Sequence, residues 1–197
     1  MSKVIAVIPA RGGSQRIPRK NIKLFDGAPI IAYSIWKAKE CGLFDEIIVT
    51  TDDDEMITIA LECGATSVWL RDPELGKDEV GTQAVVAECL KGTGHTDRDT
   101  IACCIYATAP LMSVKDLTAG YDVLTNAPFC SYVFSVGYPN LRDAGQFYWG
   151  KAYDFVRNVP LVNIHTHLIH VRDERVCDIN TQEDWDRALE MYYALRD

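Results

Sequence analysis

The stretch from Val4 to Asn21, Val-Ile-Ala-Val-Ile-Pro-Ala-Arg-Gly-Gly-Ser-Gln-Arg-Ile-Pro-Arg-Lys-Asn, sets the narrowest limits on how this chain can fold. Residues 4–8 are β-branched or small and uncharged, the pattern of a parallel strand buried on both faces rather than a half-exposed alternating one. The strand then breaks into a loop that carries five cations, Arg11, Arg16, Arg19, Lys20 and Lys23, and no acid, in a chain of formal net charge −8. That local inversion of charge calls for an anionic ligand. Gly12, Gly13 and Ser14 let the backbone turn tightly and aim N–H groups at one point, while the Lys and Arg side chains supply charge for phosphate oxygens. The loop has no Gly-Lys-Ser/Thr and no G-x-G-x-x-G spacing, so it is neither a P-loop nor a dinucleotide fingerprint. A solvated basic turn is the plain alternative. Position favours a binding loop, because ligands of open α/β sheets sit beyond the carboxyl ends of the strands.

With 197 residues, 48% of them hydrophobic, the chain is expected to form one domain, residues 1–197, around one core. Its 28 acids against 20 bases leave no extended basic face for nucleic acid. No apolar run approaches ~18 residues and the first strand is too short for a signal peptide, so a cytoplasmic protein with small-molecule partners and no membrane contact is expected. The seven cysteines are an odd number without a C-x-x-C pair and read as reduced core residues.

Along the chain, residues 30–39 repeat apolar positions at helical spacing and stop near Gly42; residues 46–51 form the next buried strand. The acidic run 52–55 is expected to cap the helix through Leu61, in preference to binding metal. Residues 64–71 form a third short strand ending in Arg71, and residues 82–90 a helix. Residues 100–106 form the most apolar strand, and a turn over 107–112, suited to a substrate hydroxyl, leads to a helix over 114–124. Strands follow at 132–136 and 143–150. His165, His167 and His170 lie on a further strand that reads as a solvated edge rather than a zinc site, which needs three or four ligands. The last helix runs to about Leu195 from a capping-box-like start at Thr181 and Asp184. This alternation predicts an α/β, three-layer sandwich on a mainly parallel, Rossmann-like sheet. On spacing alone Arg71 serves equally as a surface partner of Asp72 or Glu74.

The motif from Ile8 to Asn21, Ile-Pro-Ala-Arg-Gly-Gly-Ser-x-Arg-Ile-Pro-x-Lys-Asn, resembles the amino-terminal signature of the cytidylyltransferases that activate nine-carbon sugar acids, the CMP-sialic acid synthetase type. Ile101-Ala-Cys-Cys-Ile-Tyr106 and Asp143-Ala-Gly-Gln-Phe-Tyr-Trp-Gly150 resemble the pseudaminic acid branch. The resemblance spans nearly the whole chain and implies a nucleotide-diphospho-sugar transferase fold acting on CTP and a nine-carbon keto-sugar acid with Mg²⁺. It implies Arg11, Lys20 and Asp178 as catalytic, and Ala10, Gly12, Gly13, Ser14, Gln15 and Asn21 on the nucleotide. Leu70-Arg71-Asp72-Pro73 matches an element that holds cytosine, which assigns Arg71 to the base. Tyr106, Thr108, Asp143, Gln146 and Tyr148 fall to the sugar, and Asp178 and Asn180 to the metal.

Three departures stand out. Gln15 occupies a position where the family has lysine, Asn180 one where it has a metal-binding aspartate, and only three residues separate Pro139 from Asp143. Relatives carry there some tens of residues of dimerisation arm, so a weak homodimer or a monomer is expected. The same departures admit an impaired homologue that binds nucleotide or sugar acid without turnover.

Overall fold

A computed structural model describes residues 3–76, 80–139 and 141–196. Its centre is β1 (Val4–Pro9), whose residues 4–8 are buried. It pairs in parallel with β4 (Glu46–Thr51) on one side and β6 (Ile101–Ile105) on the other, with Val7 opposite Ile48 and Cys104. With β5 (Ser67–Leu70), β7 (Tyr132–Gly137), β8 (Asp143–Lys151) and β9 (Thr166–Val171), the sheet has seven strands in the order β5-β4-β1-β6-β8-β7-β9. β8 is antiparallel to both of its neighbours. The connection from β7 is too short for the crossover that a parallel partner needs, so the chain must turn straight back. Asn140, in that connection, lies outside the described residues.

Side chains alternate across the sheet and split the core into two layers. Val4, Ala6 and Ile8 of β1 face α1 (Ile30–Glu40), α2 (Asp54–Glu62) and α4 (Val114–Asn126), through Ile31, Ile35, Met56, Ala60, Leu117 and Leu124. Ile5 and Val7 face α3 (Thr82–Gly92) and the short α5 (Ala152–Val156), through Val86, Leu90 and Phe155. This is the expected three-layer sandwich, mainly parallel. All seven cysteines are free thiols, five of them buried.

The small β2–β3 ribbon (Leu24–Phe25 and Ala28–Pro29) and α5 carry no periodic signal long enough to announce them. Phe25 is fully buried, and its ring meets Tyr33, Trp185 and Tyr192 edge-on at 5.5 Å each. This third cluster docks α6 (Gln182–Ala194) against the base of the Arg11–Lys23 loop. The last helix thereby lies beside the segment that follows β1. β9 is an edge strand with His167 and His170 exposed; no set of three or more metal-ligating side chains forms among the described residues. No helix among them is long and apolar enough to cross a membrane.

Candidate nucleotide site

At the carboxyl ends of β1, β4, β5 and β6 lies a cleft of about 340 Å³ lined by the loop, Arg71, Tyr106 and the segment before α6. The expected residues Arg11, Ser14, Lys20, Asn21, Arg71, Tyr106, Thr108, Asp178 and Asn180 all line it. Ala10 is fully buried beneath the loop. Gly13 and Gln15 are exposed beyond the cleft lining.

The loop is shaped by acids from the neighbouring strand. Gly12 N–H donates to Asp52 Oδ1 at 2.8 Å, and Ser14 N–H to the Gly12 carbonyl at 3.1 Å. Of the N–H groups expected to aim at one point, those of Gly12 and Ser14 are thus bound within the loop and its support. Asp53 caps α2 by accepting from Met56 N–H at 3.0 Å, as expected of the acidic run. It also binds Arg19, which reaches Glu55 as well. That pairing holds the Asp53 carboxyl below the usual carboxylate range, chiefly through its hydrogen bond from Arg19. Arg19 is thus a loop strut. Sequence reading gave the run 52–55 a capping role alone; the β1–β4 pairing that carries it to the loop spans about forty residues and leaves no local signal.

Asn21, 6% exposed, donates its amide to the Arg11 carbonyl at 2.9 Å and fixes the loop from inside. Arg11 Nη1 reaches the Gly76 carbonyl at 3.2 Å across the cleft. Lys20 Nζ donates to the Ile179 carbonyl at 2.6 Å. Burial lowers its pKa, offset in part by Asp178 and reinforced by the positive charges of Arg16 and Arg11. Arg71 is 4% exposed; it donates to the Thr50 carbonyl at 3.2 Å, lies 3.9 Å from Asp52, and its Nε is buried without a partner. Burial lowers its pKa too, so the surface-pair alternative for Arg71 is excluded by its position. A buried guanidinium with an unmet donor costs stability unless something else accepts from it.

Residues expected at the sugar divide. Tyr106 and Thr108 line the cleft. Asp143 is an exposed residue at the start of β8; partial loss of solvation still raises its pKa and the charge of Asp178 adds to this, while Gly145 N–H, at 2.8 Å, and Tyr106 counter it. Gln146 and Tyr148 lie deeper, 2% and 4% exposed. Gln146 Nε2 holds the Arg175 carbonyl at 2.6 Å and leaves its Oε1 buried without a partner.

A divalent ion that bridges nucleotide phosphates asks for oxygen donors. Asp178 fits, and it is the one carboxylate among the described residues that line the cleft. Asn180, expected as a weaker neutral ligand, is engaged with side chains on both sides. Its Nδ2 donates to Asp178 Oδ2 at 2.6 Å and its Oδ1 accepts from Arg16 Nη2 at 2.9 Å. Turning the amide over would set N–H against N–H and oxygen against oxygen, so its partners fix its orientation. In this structure Asn180 links a cation, Arg16, to a carboxylate, Asp178.

Known proteins resemble the chain throughout. The cytidylyltransferase family profile matches residues 5–144. The pseudaminic acid cytidylyltransferase of Campylobacter jejuni strain 81-176 is 33% identical, with 96% of each chain covered. That alignment runs over 224 residues, more than the 197 present here, so the relative carries stretches without a counterpart. Among solved structures, CMP:2-keto-3-deoxy-manno-octonic acid synthetase complexed with CTP superposes with a TM-score of 0.75 at 15% identity, covering 98% of this chain and 100% of that one. A manganese complex of Rv0371c from Mycobacterium tuberculosis H37Rv gives 0.67 at 16% identity, covering 96% and 99%. The two structures share the fold. On the sequence matches, which take in both the basic loop and the start of β8, the chain belongs to the cytidylyltransferase family.

Proposed function

We propose that the protein joins the cytidylyl group of CTP to the anomeric hydroxyl of a nine-carbon keto-sugar acid, pseudaminic acid or a close relative. The hydroxyl oxygen attacks the α-phosphorus, the α–β anhydride bond breaks, pyrophosphate leaves and a CMP-sugar remains. The observation that carries this reading is the convergence of Arg11, Lys20 and buried Arg71 with Asp178 in one cleft at the carboxyl ends of the strands. Phosphoryl transfer asks the protein chiefly for positioning and charge neutralisation.

In this reading Arg11 and Lys20 leave their carbonyl partners for phosphate oxygens, a stronger, charge-assisted contact. Arg71 and Asn21 set the cytosine at the cleft floor, with the unmet Arg71 Nε as a donor to it. Tyr106, Thr108 and Asp143 face the sugar, and Gln146 and Tyr148 support them from β8. A divalent cation, Mg²⁺ in this proposal, would be held by Asp178 and would neutralise charge on the phosphates; a manganese-bound structure on the same fold supports a metal of this kind. We place the protein in the cytoplasm, where CTP is made.

A second reading, binding without turnover, is favoured by the exposed Gln15 and by the engaged Asn180 oxygen. One assay separates the two: pyrophosphate release from each of the four NTPs with Mg²⁺ and a panel of sugar acids. Release from CTP alone, dependent on a nine-carbon acid, is expected. Calorimetric CTP binding without release under any pairing would establish the second reading, and release with UTP and a different sugar would overturn both.

A further inference from the structure

The sheet ends in two edges of different character. β5, at one end, is four residues long, and of its own residues only Leu70 is exposed. β9, at the other, is six residues long, runs against β7 without a shift of register and carries no Lys, Arg, Asp, Glu or Pro. Natural edge strands are kept from pairing by brevity, charge, proline or a bulge, and β9 has none of these. Apolar side chains gather around it. Leu168 lies on the strand itself, Val162 and Ile164 just before it, Phe129 beside His165 at its start and Tyr138 beside His170 at its end, with Leu141 following Tyr138. These are six of the eleven large apolar side chains exposed among the described residues, and they include the two most exposed, Ile164 at 94% and Phe129 at 85%. A monomer rarely leaves so much apolar surface together.

The backbone of β9 fixes how a partner strand would sit. The carbonyls of His165 and Val171 accept from the N–H groups of Ser131 and Tyr138 at 3.0 and 3.3 Å, so the odd-numbered residues face β7. Leu168 and His170, and Thr166 by its carbonyl, therefore turn outward; the Thr166 N–H is held by the Asn163 carbonyl at 3.1 Å. We propose that two copies of the chain associate through β9, the outer edges pairing antiparallel about a two-fold axis at Leu168 to join the two sheets into one. Leu168 then exchanges both hydrogen bonds with its counterpart, and His170 N–H of each copy donates to the Thr166 carbonyl of the other. A second copy fits this edge better than an unrelated strand does. The axis sets Leu168 opposite itself and Thr166 opposite His170, so no charged side chain of the strand meets another, although each copy carries a formal net charge of −8. Antiparallel pairing brings the start of one β9 to the end of the other, so Phe129 of each copy comes to the same end of the pair as Tyr138 and Leu141 of its neighbour, in one closed, self-complementary contact. Phe and Tyr side chains bury about 150–250 Å² each, so two of them and four aliphatic ones from each copy bring the interface to the low end of the range for specific association, on the order of 1,000 Å². Micromolar association is expected, and it stands apart from the nucleotide reading of the cleft.

The test is sedimentation velocity, from low micromolar to a few hundred micromolar protein, on wild type, Leu168→Lys, Leu168→Pro and, as a control on an exposed apolar residue of α2, Leu61→Lys. Wild type and Leu61→Lys are expected to pass from monomer to dimer over that range. Leu168→Lys sets two ammonium groups together at the axis, and Leu168→Pro removes the outward N–H while leaving those bonded to β7; each should weaken association about tenfold or more. Thermal melts report whether each variant keeps its fold. Leu168→Cys reads the geometry itself. Opposed residues of a hydrogen-bonded antiparallel pair lie about 5.5 Å apart at Cα, within reach of a disulfide. Mild oxidation should therefore join this variant into a covalent dimer faster than wild type, whose seven free thiols supply the background. Wild type that stays monomeric throughout, a dimer that Leu168→Lys leaves intact, growth beyond the dimer, or Leu168→Cys that cross-links no faster than wild type overturns the proposal.

Discussion

A glycine at position 12 is required by what stands behind it. A Cβ there would lie 2.6 Å from Asp53 Oδ2 and 3.0 Å from Asp53 Cβ, and Asp53 cannot retreat because Arg19 and Met56 N–H hold it. Gly12→Ala should therefore destabilise the fold by about 1–3 kcal/mol, the usual cost of forcing a methyl into a filled space. Urea denaturation measures it; a variant as stable as wild type would mean that the loop rests on Asp52 and Asp53 less firmly than drawn. Arg11→Ala should weaken CTP binding by about 1.5–3 kcal/mol, the range for hydrogen bonds to charged groups, in calorimetry with Mg²⁺. Unchanged affinity would return the loop to a solvated turn. Of the residues that the structure gathers in the cleft, Arg11 and Lys20 were named from the charge of the basic loop and Arg71 only through the resemblance. The support that Asp52 and Asp53 give the loop and the tie of Arg16 to Asn180 were not legible in the sequence, since these roles arise from contacts between distant segments. Asn180 was noticed for the charge it lacks. Only its two hydrogen-bond partners show what the amide does instead.

Among the elements, α6 does most to hold the site in place, because its start carries Asp178, Ile179 and Asn180 to the loop. Its capping box is complete: Thr181 accepts from Asp184 N–H, and Asp184 accepts from Thr181 N–H. Thr181→Ala should cost about 1 kcal/mol of stability. Partial burial pushes the Asp184 carboxyl up, but hydrogen bonds from the backbone of Asn180 and Thr181 outweigh it and leave the pKa lowered. A carboxylate whose pKa falls on folding stabilises above its unfolded pKa, and that stability is lost as pH drops through the folded one. Asp184→Asn should hence be less stable than wild type near neutral pH, and the gap should close under acid. A gap independent of pH in chemical denaturation would assign the effect to shape and not to charge. This start was legible because Thr and Asp three apart before an apolar period form a local signal. The β2–β3 ribbon and α5 were hidden for the opposite reason: two to five residues hold no period, and tertiary packing alone makes them.

At the scale of the molecule, alternating strand and helix patterns predicted the layered sheet, and the two faces of β1 divide the core as that pattern requires. The reversal of β8 was written in the few residues between Gly137 and Asp143. That short connection also bears on assembly. A stable dimer needs on the order of 1,000 Å² of complementary surface, and three residues cannot build the arm that the resemblance implies for relatives. Sedimentation should show a monomer or a weakly associating dimer; a tight dimer at sub-micromolar concentration would show that another face does the work. The central claim, that this fold joins cytidylyl to a sugar acid, is tested most directly by following CTP, Mg²⁺ and pseudaminic acid with the protein by phosphorus NMR. The account predicts that a CMP-sugar phosphodiester and pyrophosphate grow in equal amounts as CTP declines. CTP that persists unchanged, or that yields CMP monoester and no diester, would contradict it.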